Sequence, residues 1–282
     1  MTKLLSAGYR RLFRSVFFWI GLAVTCGHHL LGVLNNLHYK SAFVDQVIKA
    51  DHTLLPDTLI TALVMSVLIA LLIGREYSDK TVRNKIITGH SRLSIYLSNL
   101  IVCSTAAAIY YVVPTLLIGL GLGAPLLGGF ELTAKAFILP ALIGLLAVLG
   151  LTSLFLLVVM SIQNRTVAAV TVLILAIALM MWVTVPMREA LETPQFVDEY
   201  VFSEEVNDFV PTGNTIESPA YVGGPARVAL EFLYNFLPSG QEEQASPYNK
   251  TADMADLPFW GLAFIAVTTV GGAWIFQKKE LK

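Results

Sequence analysis

The sequence contains few charged residues. Only 14% of its 282 residues are Asp, Glu, Lys or Arg, whereas 55% are hydrophobic, and the mean hydropathy is +0.67. A soluble globular protein carries about 25% charged residues, so this composition excludes that class. The scarcity of charge therefore indicates a protein that crosses a membrane several times.

Cysteine is also scarce. The chain has two cysteines, Cys26 and Cys103, and each lies inside an apolar run. Their spacing matches no metal-binding or redox motif, and free cysteine packs as a small hydrophobic residue. We therefore expect two inert, buried thiols rather than a disulfide or a metal site.

Catalytic and nucleotide-binding motifs are missing. The chain has no G-x-x-x-x-G-K-[ST], no H-E-x-x-H and no G-x-S-x-G. His28 and His29 are adjacent in an apolar run, and neighbours on a helix point about 100° apart, which disfavours chelation of one metal. We expect hydrogen-bonded neutral histidines, with a polar transport pathway as the alternative. The sequence predicts no catalytic residue and no cofactor bound by this chain.

Long apolar runs dominate what is present. Six runs reach the roughly 20 residues that a membrane-spanning helix needs, at about 15–34, 54–73, 95–120, 136–160, 166–185 and 257–276. Uninterrupted runs of this kind exclude the alternating strands of a membrane barrel. The sequence predicts an all-α polytopic membrane protein with six transmembrane helices.

Lysine and arginine predict the orientation of these helices. With six spans, thirteen of the nineteen Lys and Arg residues fall on the side that holds both termini and the loops at 74–92 and 161–165. Positive charge marks the cytoplasmic side. We expect a multi-pass protein of a bacterial cell membrane with both termini in the cytoplasm, and no nucleic-acid partner.

The N-terminal segment, 1–14, is predicted to be an amphipathic helix. Leu5, Tyr9, Leu12 and Phe13 share one face of the helical wheel. The opposite face is basic and carries Lys3, Arg10, Arg11 and Arg14. Such a helix lies in the cytoplasmic membrane interface. The alternative is a simple basic flank of the first span.

The segment 186–256 is predicted to be an extracytoplasmic domain, followed by the sixth span and a cytoplasmic tail at 277–282. It holds thirteen acidic residues and three basic ones. Within it, 224–238 is predicted to form a short helix, with Pro225 in its first turn and Arg227 paired with Glu231. We expect this helix to lie on lipid or against the spans. The acidity either attracts a cationic peptide or only solubilises the surface.

The loop between the second and third spans is longer than a hairpin connection requires. Three pairs at i,i+4 support a helix: Glu76–Lys80, Asp79–Arg83 and Val82–Ile86. Gly89 is expected to end it. The sequence therefore predicts a short helix, within 75–92, across the cytoplasmic mouth of the bundle. Its mixed charge and apolar residues suit docking onto another protein, whereas a solvated loop that only sets topology is the alternative.

These features resemble the permease subunit of the type-two export class of ABC transporters. In that family, a basic amphipathic helix precedes six spans, and a glutamate after the second span leads into a coupling helix. The matching residues are Glu76, Thr81, Gly89, Ser91 and Arg92. Lys80 stands where the family has glycine before the threonine. The segment Ser161–Arg165 would form a second, shorter cytoplasmic contact.

The resemblance implies a separate ABC ATPase subunit that binds ATP and Mg²⁺, and a second permease copy in a homo- or heterodimer. ATP-driven closure of the ATPase subunits would move the coupling helices and so export a lipophilic or peptide substrate. The residues expected to contact the ATPase subunit are Glu76, Asp79, Lys80, Thr81, Arg83, Gly89, Ser91, Arg92, Gln163 and Arg165.

Three other functions remain open at this point. A membrane enzyme would need paired catalytic groups at one depth, and only the two adjacent histidines lie within a span. An ion-coupled carrier would be expected to show internal repeats and charged residues near the membrane midplane. A non-transporting sensor or immunity subunit would use the acidic outer domain to bind a ligand. Co-purification with an ATPase subunit would separate export from all three.

Overall fold

The computed structural model shows a helical membrane protein. It describes residues 1–42, 49–55, 58–162, 164–203, 208–245 and 254–279. Six of the described helical segments are long and apolar enough to cross a bilayer: Val16–Ser41, Thr58–Ser78, Arg92–Leu127, Ala134–Ser161, Arg165–Glu192 and Met254–Lys278. The predicted all-α polytopic fold is confirmed, and several helices extend beyond the apolar runs that predicted them.

The first half of the chain forms an N-terminal helix and three spans. The helices are α1 (Thr2–Arg14), α2 (Val16–Ala42), α3 (Thr58–Ser78), α4 (Thr81–Ile87) and α5 (Arg92–Pro114). A single turn, Ala50–Thr53, lies between α2 and α3. A π-helical segment, Thr115–Gly123, and α6 (Ala124–Leu127) complete the third span. The π-helical segment directly follows Pro114, which has no backbone N–H to donate.

The second half adds three spans and the elements between the last two. They are α7 (Ala134–Ser161), α8 (Arg165–Ile177), a π-helical segment (Ala178–Thr184), α9 (Val185–Glu192), β1 (Phe196–Ser203), β2 (Asp208–Glu217), α10 (Gly224–Phe236), α11 (Pro238–Gln244), a single turn (Met254–Asp256) and α12 (Leu257–Lys278). Strands β1 and β2 form an antiparallel hairpin. The sequence analysis did not predict this hairpin.

The second and fourth spans form the centre of the bundle. Helix α7 packs against α3, α5 and α12. The most apolar stretches of the second and fourth spans are each 61% buried, compared with 28% for the first span and 22% for the fifth. Small residues allow close approach of the helices, as expected in lipid. A Cβ atom added to Gly272 of α12 would collide with the Tyr96 hydroxyl of α5.

Helix α1 packs against the bundle. Its buried residues recur every fourth position, at Leu4, Gly8 and Leu12, and this face lies on α5. The Tyr9 hydroxyl is 2.9 Å from the hydroxyl of Thr105 in α5. The amphipathic helix is therefore present. Leu12 of its predicted apolar face is buried against protein, whereas Phe13 remains 43% exposed.

The basic residues of α1 do not all point the same way. Lys3, Arg10 and Arg14 are exposed, and their contact with the membrane surface stays a prediction. Arg11 is an exception, because its guanidinium turns inward and pairs with Glu76. The expectation that Arg11 belongs to the membrane-facing set is therefore wrong.

The predicted helix in the acidic segment is α10. Pro225 lies in its first turn, and Arg227 Nε is 3.2 Å from Glu231 Oε1, as predicted. Its aromatic residues contact aromatic residues of α12; these are Phe232 and Phe236 on α10, and Trp260 and Phe264 on α12. Of the two locations expected for this helix, the structure shows packing against the spans.

Helix α11 is inserted between the ends of the spans. It packs against α7, and its Gln241 and Ser239 side chains are buried. The Thr184 hydroxyl donates a hydrogen bond of 2.6 Å to the Ser239 hydroxyl. This polar contact fixes the acidic segment to the fifth span.

The bundle has two chemically different ends. One end, here called the basic end, consists of α1, α4, the last turns of α3, α7 and α12, and the first turns of α5 and α8. Hydrogen bonds from Arg92 to α12, and from Lys279 to α7, hold these pieces together. The opposite end carries the hairpin, α10 and α11.

Candidate functional site at the basic end

Glu76 is a buried carboxylate near the end of α3. Its side chain is only 1% exposed, and both of its oxygens have partners. Oε1 accepts hydrogen bonds from Arg11 of α1 and from Lys85 of α4, the latter at 2.6 Å. Oε2 accepts from the Asn99 amide of α5 at 3.2 Å. One carboxylate therefore joins four helices, α1, α3, α4 and α5, and we call these four side chains the Glu76 network.

Burial of a carboxylate is costly unless it is paired and hydrogen-bonded. Here two cations and one amide satisfy it. Lys85 is 17% exposed and Arg11 is 30% exposed, so each cation keeps some contact with solvent while its charge is directed at Glu76. Both oxygens of the buried carboxylate are therefore paired. The network links helices that are distant in the sequence, and it is less exposed to solvent than a surface ion pair.

A break in the helix separates Glu76 from α4. Lys80 adopts φ +54°, and it is the only residue other than glycine with a positive φ in the described part of the chain. The break ends α3 at Ser78 and lets α4 start at Thr81 in a new direction. The expectation of one continuous helix within 75–92 is therefore wrong, and the helix in this loop is limited to α4.

The new geometry changes the predicted ion pairs. Glu76 does not pair with Lys80, because the helix breaks between them. Asp79 pairs with Arg75, at 3.2 Å, instead of with Arg83. Both partners of this pair are largely exposed, so it contributes at most about 1 kcal/mol.

Gly89 ends α4, as predicted from the sequence. It has φ +89°, which side chains with a Cβ rarely adopt. The N–H of Gly89 donates to the carbonyl of Ile86, and the N–H of His90 donates to that of Lys85. These are the two bonds of a Schellman motif. Ser91 then caps α5 by accepting a hydrogen bond from the N–H of Ser94.

Helix α4 has a buried face and an exposed face. Val82 is 2% exposed and Ile86 packs against the core, as the apolar pair predicted. Lys80 and Arg83 are exposed on the outer side, and the Ile87 side chain is 71% exposed. The outer side therefore offers two cations around an apolar residue, a combination suited to a protein contact.

Arg92 lies at the start of α5 but binds the end of α12. Its Nη1 donates to the backbone carbonyls of Phe276 at 3.2 Å, of Gln277 at 3.1 Å, and also of Lys279. The last carbonyls of a helix have no partner within it, and a cation there is favourable. Arg92 therefore links the third and sixth spans, and its expected role as a direct docking group is not what this geometry shows.

Lys279 closes the end of α7 in a similar way. Its ammonium donates to the Met160 carbonyl at 2.8 Å and lies 4.7 Å from the centre of the Tyr77 ring. The Tyr77 hydroxyl donates to the same carbonyl at 2.8 Å. Partial burial lowers the pKa of Lys279 to about 8.

The other predicted contact residues occupy varied positions. Thr81 is half-buried at the start of α4. Arg165 begins α8, which is capped by the Asn164 side chain, and the Arg165 side chain packs on Gly74 of α3. Gln163 lies outside the described residues. The exposed members of the full predicted set are Asp79, Lys80, Arg83, Gly89 and Ser91, whereas Glu76 is inside the protein.

The sequence analysis missed three residues of this site. Lys85 and Asn99 complete the Glu76 network, and Ile87 forms the apolar centre of the exposed face of α4. Ile87 carried a usable signal, since it follows Ile86 and the two cannot share one helix face. Asn99 carried a weaker one, as a lone amide inside an apolar run.

A family model described as "ABC-2 family transporter protein" matches residues 5–188. The chain belongs to the ABC-2 family of transporter proteins. The match includes most of α1, all of α4 and every member of the Glu76 network, and it ends before the hairpin and the sixth span. No curated protein and no solved structure gave a match.

Membership of this family identifies the chain as a permease subunit of an ABC transporter. Such a subunit crosses the membrane several times and works with an ABC ATPase subunit. At the basic end of this permease, the Glu76 network connects α4 to the spans.

Proposed function

We propose that this permease belongs to an ATP-driven exporter whose ATPase subunit docks at the basic end, on the cytoplasmic side of a bacterial cell membrane. The Glu76 network is the observation that supports this most directly. It ties α4 to α3, α5 and α1, so a displacement of α4 is passed to two spans at once. ATP binding would then favour one arrangement of the spans over another.

The proposal places ATP and Mg²⁺ on the partner subunit, with no cofactor bound by this chain. It also includes a second permease copy, identical or homologous. The first and fifth spans are the least buried, at 28% and 22%, so they supply the surface available to a second copy and to lipid.

The composition of the spans favours a lipophilic or peptide substrate over a free ion. The stretches 16–39, 58–74, 93–127, 136–161, 166–187 and 257–277 contain no Asp, Glu, Lys or Arg. Binding of an ion within the membrane normally needs such groups. Apolar, Thr- and Gly-containing helices offer an apolar cargo a path instead.

Reconstitution with the ATPase subunit would test the docking face. We expect Ile87→Asp to weaken the affinity for the ATPase subunit by at least about thirtyfold, because an apolar interface centre is worth 2 kcal/mol or more. Arg83→Glu should reduce the stimulation of ATP hydrolysis by the permease. Lys3→Glu, with the same charge change on α1, is the control.

Retention of full ATPase stimulation and transport by both α4 variants would contradict the docking proposal. Cargo movement by the purified permease in liposomes without any ATPase subunit would contradict the ATP-driven mechanism itself.

A further inference from the structure

A cleft of about 800 Å³ lies at the basic end, between α1, the start of α2 and the end of α3. Its volume is in the range of small-molecule binding sites. Five arginines line it: Arg10, Arg11, Arg14, Arg75 and Arg165. We call it the arginine cleft. The proposed docking of the ATPase subunit uses the exposed face of α4. Asp79, Thr81 and Arg165, which the sequence analysis expected at that contact, line the cleft.

The arginine cleft has an excess of positive charge. Glu76 and Asp79, which also line it, pair with Arg11 and Arg75 respectively. The remaining three arginines make no ion pair with any residue in the described ranges; these are Arg10, Arg14 and Arg165. Guanidinium groups bind phosphate through paired N–H donors. The arginine cleft is therefore matched to a phosphate-bearing ligand.

Part of the lining of the arginine cleft is apolar. Leu68, Leu71 and Leu72 of α3 form one wall, and Val16 and Phe17 of α2 form another. Leu68 is ten residues before the end of α3, a distance of about 15 Å along a helix. The Val16 side chain is 67% exposed and the Phe17 side chain 53%, so this wall borders the lipid-facing surface.

We propose that the arginine cleft binds an anionic phospholipid from the leaflet at the basic end. The phosphate lies among Arg10, Arg14 and Arg165, and an acyl chain follows the leucine wall of α3. A soluble anion would leave the apolar lining uncovered, and a hydrophilic protein segment would have to lie against it. A zwitterionic lipid would bring its own cation against the arginines, and is disfavoured.

This lipid would connect two parts of the permease that are distant in sequence. Arg10 and Arg14 belong to α1, whereas Arg165 starts the fifth span. The bound headgroup would hold the interfacial helix against the fifth span, beside the Glu76 network. Loss of the lipid should therefore loosen α1 without changing the spans.

Native mass spectrometry of the delipidated full-length protein tests this proposal, with phosphatidylglycerol and phosphatidylethanolamine as probes. Basic residues near anionic lipid contribute roughly 1 kcal/mol each, or about fivefold in affinity. The variant Arg10→Gln, Arg14→Gln, Arg165→Gln should therefore bind phosphatidylglycerol on the order of a hundredfold more weakly. The matched control Lys3→Gln, Lys80→Gln, Arg83→Gln removes the same charge outside the cleft.

Retention of one phosphatidylglycerol by the wild type and the control, but not by the cleft variant, supports the proposal. Equal retention by the cleft variant, or an equal loss in the control, overturns it, because the attraction would then be nonspecific. Complete displacement of the lipid by inorganic phosphate also overturns it, since the acyl chain would then contribute nothing.

A second measurement tests the proposal even if the triple variant does not fold. The protein carries a photo-crosslinking amino acid in place of Phe17, in an otherwise wild-type chain, and is reconstituted in vesicles that contain phosphatidylglycerol. Crosslinks to phosphatidylglycerol in excess of its share of the vesicle lipid support the proposal, and crosslinks in proportion to that share overturn it. Crosslinks to protein alone overturn it, because the cleft would then be covered by a protein partner.

Discussion

At the scale of single residues, Glu76 differs from every other acidic group that the structure describes at the basic end. Asp79 lies three residues later and is exposed, whereas the Glu76 side chain is 1% exposed and accepts hydrogen bonds from three helices. The cost of removing a carboxylate depends on this difference. When an exposed carboxylate is removed, water solvates its former partner. When a buried carboxylate is removed, its cations are left without a counter-charge.

Glu76→Gln should lower the free energy of unfolding by about 1–3 kcal/mol, below the range for a fully buried pair because Arg11 and Lys85 keep some contact with solvent. Thermal unfolding in detergent would measure it. The matched control is Asp79→Asn, which breaks an exposed pair and should change stability by no more than about 0.5 kcal/mol. Equal effects of the two amide substitutions would contradict the structural role of Glu76.

Lys279 should make stability depend on pH. Burial lowers the pKa of the folded-state ammonium from its ordinary 10.5 to about 8. Below pH 8 both states hold the proton, and between pH 8 and 10.5 the unfolded state holds more protons than the folded state. Stability should therefore rise with pH across this window. Lys279→Met should remove that rise, as measured by unfolding temperatures at pH 8 and pH 10. Parallel profiles for the variant and the wild type would show that the group does not titrate in this range.

At the scale of elements, α4 is a short helix held by its two ends. Lys80 starts it in the left-handed region, and Gly89 ends it there. A helix of seven residues has little stability of its own. Its shape therefore depends on these two backbone positions and on Val82, which is buried in the core.

Gly89→Ala should destabilise α4 by about 1 kcal/mol, because a Cβ at positive φ is strained. Hydrogen–deuterium exchange of the α4 amides would detect faster opening. Gly27→Ala is the matched control, since Gly27 is inside α2 with no atom within 4 Å of an added Cβ. That substitution should be neutral or slightly stabilising. Unchanged exchange in Gly89→Ala would exclude the strained turn.

Local patterns predicted the elements better than their contacts. The apolar runs gave six spans, and Gly89 gave the end of α4. The break at Lys80 was missed because lysine carries no turn signal. The partners of Glu76 were missed because Arg11 is 65 residues away and Asn99 is 23 residues away, beyond any helical spacing. The hairpin was missed because its strands carry acidic residues, such as Asp198 and Glu199, that suggested a polar loop.

At the scale of the whole molecule, the two ends of the bundle differ in charge and in construction. The basic end is fixed by side chains that reach backbone carbonyls and one carboxylate. The opposite end is covered by α10 and α11, which pack on the spans through aromatic and hydroxyl groups. This polarity follows from the distribution of Lys and Arg along the chain and sets the expected orientation in the membrane.

Cysteine labelling in intact cells would test this orientation. In a chain with Cys26 and Cys103 replaced by serine, Glu217→Cys should react with a membrane-impermeant maleimide. Lys80→Cys should react only after the cells are opened. Both positions are exposed in the structure, so access to the membrane side decides the result. The reverse labelling pattern would show that the basic end faces outward.

The contact between Arg92 and the end of α12 has an evolutionary consequence. Its acceptors are main-chain oxygens, which every amino acid supplies. Substitutions at Gln277 thus preserve the contact with Arg92, provided that the last turn of α12 stays helical. Arg92 cannot be substituted in this way, because its guanidinium is the donor in the contact. Across homologous genes, we expect selection to fall on one member of this pair and to leave the other nearly neutral.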